Sequence, residues 1–90
     1  MNGQLVNIDT VIPIKDTANI LVISIARYGR AASIAISGHG LITLGNGEKL
    51  PFGTDGGTIT LTGNDTNGFK ITSSISNLPN FYLTIVELSP

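Results

Sequence analysis

The 90-residue chain contains no cysteine, which removes disulfides, thiolate chemistry and cysteine-based zinc sites together. It is poor in charge as well: charged residues make up 12%, about half the ~25% usual for globular proteins. Lys15, Arg27, Arg30, Lys49 and Lys70 are scattered through a chain of net charge -1. No basic patch forms that would grip a phosphate backbone, so nucleic acid is not expected as a partner. No apolar run approaches the ~20 residues that span a bilayer. Residues 1–15 show no basic segment leading into a long apolar one, so neither a signal peptide nor membrane insertion is read. No stretch carries helical periodicity of useful length.

What the chain does have is a hydrophobic fraction of 41%, 11 glycines and many Thr, Ser and Asn. That is the composition of a β-sandwich rather than of a disordered chain, which would be charge-rich and poor in Ile, Val and Leu. Ile20 to Tyr28 is an apolar, β-branched run, and Ala31 to Ser37 is a second, shorter one. With only Gly29-Arg30 between them, the two read as a hairpin with a tight turn. In the first run Ile20, Val22, Ser24 and Ala26 point one way, and Leu21, Ile23, Ile25 and Arg27 the other. Both faces are mostly apolar. A small sandwich buries one face of each strand, so the second face calls for another partner.

Around this hairpin the remaining strands are short. Residues 4–8 and 10–14 are extended, with Pro13 confining the second to an edge or a strand end. Residues 41–44 and 48–50, joined through Gly45-Asn46-Gly47, read as a second hairpin ended by Pro51. Residues 53–57 form a loop with several positive φ angles. Thr58 to Thr62 alternates cleanly, with Ile59 and Leu61 inward and the threonines toward water. After the turn 63–68, Phe69 and Ile71 again face in. Phe81 to Leu88 sets Phe81, Leu83 and Ile85 against Tyr82, Thr84, Val86 and Leu88, so its two faces are also both apolar. The expectation is one domain over 1–90, with 1–17 as an edge or linker segment. Its fold is a small antiparallel β-sandwich or jelly roll of about eight short strands.

Chemistry is sparse. His39, the one histidine, lies between two glycines and reads as a loop residue. Asp9, Asp16, Glu48, Asp55, Asp65 and Glu87 form no motif. No paired carboxylates, no G-x-S-x-G elbow and no calcium-loop spacing are present. The chain is therefore not read as an enzyme, and no metal or cofactor is expected. Asn64-Asp65-Thr66 fits a glycosylation acceptor but reads as a turn. Tyr28, Arg30, Phe52, Tyr82, Asn64 and Asn67 are types that hold sugars, aromatic faces stacking on rings and amides pairing with hydroxyls. Of these and the neighbouring acid, Tyr28, Arg30, Asn64, Asp65 and Asn67 are placed in loops and are the candidate ligand residues.

The strand ending in Arg27-Tyr28-Gly29-Arg30, the Ala/Ser-rich return strand, the Gly/Asn/Asp turns and the closing F-Y-L-T-I-V-E-L segment give the chain a recognisable character. Over residues 15 to 90 it resembles the distal domains of bacteriophage tail fibres, spikes and needles. The resemblance implies a homotrimer at the tip of a fibre, attached to a host cell-surface glycan or protein, with an extracellular or virion location. The intersubunit core would come from the faces around Leu21, Ile23 and Ile25, or around Val86 and Leu88. Two other readings stay open: a structural trimerisation or capping domain without a receptor, and a monomeric carbohydrate-binding module of a larger enzyme.

Overall fold

The doubly apolar strand of the first hairpin lies inside a four-stranded sheet. In the computed structural model, which describes residues 2–13, 20–37, 44–64 and 68–88, seven strands are present. They are β1 (Gln4–Asn7), β2 (Ile20–Arg27), β3 (Arg30–Ser37), β4 (Glu48–Pro51), β5 (Thr58–Asn64), β6 (Gly68–Ser73) and β7 (Asn80–Leu88). One sheet has the order β1-β7-β2-β3 and the other β4-β5-β6. Every pairing is antiparallel. The protein is all-β, two sheets facing each other as in a small β-sandwich.

The alternation read from the sequence decides which side chains meet between the sheets. Ile23, Ile25, Phe81 and Leu83 from the larger sheet join Ile59, Leu61, Phe69 and Ile71 from the smaller one in a single buried cluster. Phe52 and Leu44, from the connections at either end of β4, complete it. No polar or charged residue is buried among the described residues. The core is thus held by apolar burial, which contributes roughly 1.5–3 kcal/mol per large side chain.

Several local readings are corrected. The hairpin turn is Tyr28-Gly29, not Gly29-Arg30, since Arg27 pairs with Arg30. Both turn residues have positive φ, 51° and 75°, the handedness that matches strand twist in a two-residue hairpin. The hairpin expected of residues 41–44 and 48–50 falls largely on residues 41–43, which lie outside the described residues; within them, residues 44–46 make a 3₁₀ turn and β4 pairs with β5. Of the strand expected at 10–14, residues 10–13 make a single bridge, Ile12 to Phe69, since Pro13 cannot donate to a ladder; residue 14 lies outside the described residues. The threonines of β5 are half-buried rather than open to water.

That bridge closes one side of the sandwich. The Asp9 N–H donates to the Ile71 carbonyl at 3.1 Å, and Ile12 and Phe69 exchange bonds of 2.7 and 3.0 Å. Gly68, with φ 97°, lies directly under the Ile12 carbonyl, so close that a Cβ would collide with it.

The intersubunit reading of Leu21, Ile23 and Ile25 is corrected as well. They are 7%, 0% and 2% exposed, because their face of β2 is the one covered by the chain's own second sheet. Val86 and Leu88 are 45% and 48% exposed. They lie on the outer face of the larger sheet with Leu5, Ile20, Val22, Ser24, Ala26, Ala31, Ser33, Ala35, Tyr82 and Thr84, an uncharged surface. A shallow depression of about 470 Å³ runs along it, bordered by Ser24, Ala26, Ala31, Ser33, Tyr82 and Thr84.

Candidate functional site

The polar chemistry of the described chain gathers where the β2–β3 turn meets the loop after β4. Arg30 begins β3 and reaches across to residues 52–55. One of its terminal nitrogens, Nη1, donates to the Phe52 carbonyl at 2.7 Å and to Asp55 Oδ1 at 2.6 Å, while Nη2 donates to Asp55 Oδ2 at 2.5 Å. This bidentate fork matches guanidinium to carboxylate geometry. The loop can lie against the arginine because residue 53 is glycine. Its φ of 101° suits no other residue, and a Cβ there would sit 2.5 Å from Arg30 Nη1. Asp55 also accepts from the Gly57 N–H at 3.2 Å, an Asx-type turn that fixes the carboxylate toward Arg30.

The electrostatics follow from this contact. The hydrogen bonds from Arg30 first, then that from Gly57, hold the Asp55 carboxyl well below the usual carboxylate range. Its bonds to Asp55 raise the Arg30 guanidinium above its ordinary value. Arg30 is 22% and Asp55 58% exposed, so one side of the pair is open to water.

Beside the pair stands Tyr28, 63% exposed. A tyrosine at φ 51° carries the cost of the left-handed region, roughly 1–2 kcal/mol, that Asn or Gly in this turn position would avoid. The guanidinium of Arg27 lies 4.3 Å from the Tyr28 ring centre and 5.3 Å from that of Tyr82, and Nη2 donates to the Tyr28 hydroxyl at 3.2 Å. Tyr28, Gly29, Arg30, Gly53, Thr54 and Asp55 line an open, mainly polar hollow of about 250 Å³.

Of the ligand residues read from the sequence, Tyr28 and Arg30 come together here. Asn64 is the last residue of β5 rather than a loop residue. Asp65 and Asn67 lie outside the described residues, as does His39. Phe52, a sugar-holding type by composition, is fully buried. The sequence reading, which found no motif among the acids, missed that Asp55 belongs with Arg30. Its one usable signal was that loop 53–57 holds an acid in a chain with few charges to pair. Among the described residues no three His, Cys, Asp or Glu side chains gather as metal ligands would, and no helix is long and apolar enough to cross a membrane.

No family model, curated protein or solved structure matches the chain. The fold and the cluster define its class: a small antiparallel β-sandwich carrying an aromatic and an ion pair at one turn-and-loop junction, and an uncharged outer sheet face.

Proposed function

We propose that this chain is a non-enzymatic attachment module, the recognition end of a fibre-like viral assembly, which holds a host cell-surface glycan at the Tyr28–Arg30–Asp55 junction. The observation that carries the reading is Tyr28: a large aromatic kept in a strained turn position and held out in solvent beside a polar hollow. Strain of this kind is retained where a side chain is wanted in one place. The free part of the ring offers an apolar surface to the C–H face of a sugar. Thr54 and the outward side of Asp55 offer partners for its hydroxyls. Arg30 does not bind freely; it holds Asp55 and the loop in position.

The test is a glycan array with the wild-type chain and the Tyr28→Asn variant. The variant keeps the turn, and the expected result is retained sugar for the wild type and none for the variant. Equal signal from both would defeat the assignment of Tyr28, and silence from both would defeat glycan attachment. A second reading, a structural capping domain without a receptor, draws support from the uncharged outer sheet face, and an array silent for both proteins would favour it.

A further inference from the structure

Sheet edges expose backbone donors and acceptors that pair with other chains, and proteins guard them with short strands, charges, prolines or covering segments. Among the described residues, three of the four sheet edges are guarded. The edge of β6 is covered by residues 9–12 through the bonds of Asp9 and Ile12. Both β1 and β4 are four residues long, and β4 carries Glu48 and Lys49 and ends at Pro51. The remaining edge is β3, eight residues long. Past Arg30 it reads Ala-Ala-Ser-Ile-Ala-Ile-Ser, without charge, proline or glycine.

The hairpin determines which backbone groups β3 leaves open. Residues flanking a two-residue turn form a hydrogen-bonded pair, and such pairs recur at every second residue. With Arg27 opposite Arg30, residues Arg30, Ala32, Ile34 and Ile36 spend their backbone groups on β2. Ala31, Ser33 and Ala35 turn theirs away from it. These three residues are exposed, and among the described residues β2 is the strand that β3 pairs with. Each offers one N–H and one C=O at the free edge.

We infer that the β3 edge is a self-association surface, and that its occupant is β3 of a second copy of this chain, paired antiparallel about Ser33. The pattern is self-complementary. With Ser33 opposite its own copy, Ala31 faces Ala35 and Ala35 faces Ala31, so each open N–H meets an open C=O and each open C=O an N–H. Charge permits the register: Arg30, the strand's one charged residue, falls opposite Ile36 rather than another arginine, and its guanidinium is already held by Asp55. On the inner side Ala32 faces Ile34, two partly buried residues that pack against the core cluster and gain cover from the partner. On the outer side the uncharged faces of the two sheets become continuous. A foreign strand would satisfy the backbone, but a second copy also sets small residue against small residue on the outer face and Ala32 against Ile34 on the inner one. The association is twofold and stands independently of the attachment reading.

The experiment is sedimentation equilibrium on the full chain from micromolar to millimolar concentration, with amide hydrogen exchange at Ala31, Ser33 and Ala35. The expected mass rises to twice the 9.4 kDa of one chain, and those three amides slow as it does, by about tenfold or more. Ser33→Pro removes an outward N–H while leaving the β2 ladder intact, and Ala35→Lys places a charge on the edge. Each variant returns the mass to that of one chain with its circular dichroism unchanged. Should Ser33→Pro fail to fold, Ala35→Lys and the wild-type exchange rates carry the test. A monomer throughout, a trimer, or a dimer whose mass survives Ala35→Lys overturns the inference; a trimer would move the contact to the outer sheet face.

Discussion

Gly68→Ala is the sharpest test of how this sandwich is closed. Gly68 has φ 97°, and a Cβ there would collide with the carbonyl and carbonyl carbon of Ile12. Ile12 cannot retreat freely, because its backbone exchanges two hydrogen bonds with Phe69 and its side chain is 2% exposed. Positive φ costs a non-glycine residue roughly 1–2 kcal/mol. Opening the Ile12–Phe69 pair adds about 1 kcal/mol per bond, and partial exposure of Ile12 adds about 1 kcal/mol more. The sum is roughly 4–5 kcal/mol, against a total of roughly 5–13 kcal/mol for a domain of this length. Urea denaturation followed by circular dichroism reads the effect directly. With a slope of about 1–3 kcal/mol per molar for a small domain, the midpoint falls by at least about 1 M. Gly45→Ala is the matched control: nothing lies within 4 Å of its Cβ, so it is neutral or stabilising by about 0.4–1 kcal/mol. A Gly68→Ala midpoint within about 0.3 M of wild type, with the Ile12 and Phe69 amides still protected from exchange, would refute the claim that this contact seals the β6 edge.

The Arg30–Asp55 contact makes stability depend on acid. The folded Asp55 value lies below its unfolded value, so the contribution is complete above the unfolded value near ~3.9 and is lost as pH falls toward the folded one. Thermal melts of wild type and Asp55→Asn therefore differ at neutral pH and converge as the pH drops below about 4; a difference that is the same at both ends refutes the pairing. Tyr28→Asn relieves the turn and raises stability by roughly 0.5–1 kcal/mol, seen as a higher melting temperature; a lower one would mean that the Arg27–Tyr28 stack outweighs the strain. Ile23→Ala removes a fully buried side chain and costs about 2–5 kcal/mol. Val86→Lys, on the outer face, changes the stability of a single chain by no more than about 0.5 kcal/mol. Comparable losses for the two would contradict the placement of Leu21, Ile23 and Ile25 inside the chain's own core.

Where alternation is strict, facing is written into the order of residues. Ile59 and Leu61, and Phe69 and Ile71, point inward as their spacing of two and the polar residues between them require, Phe81, Leu83 and Ile85 share one face for the same reason, and the all-β class follows from them. The two apolar faces of β2 were equally legible, yet nothing local distinguishes the one that packs on a second sheet from the one left outside. That choice depends on which strands dock across the sandwich. The partner of β4 was out of reach for the same reason: it pairs with β5, with Leu50 opposite Ile59, a contact that no turn motif announces. Arg30 and Asp55 are 25 residues apart, and no spacing rule joins them. They meet because β3 and β4 belong to different sheets whose ends come together at that corner. Residue order alone therefore determined the all-β class and, in β5 and β6, which sides are buried, since both follow from period and turn chemistry. Pairing, the exposed sheet face, the open β3 edge and the Tyr28–Arg30–Asp55 junction were decided only when the two sheets closed on one core, because each is a contact between segments distant in the chain.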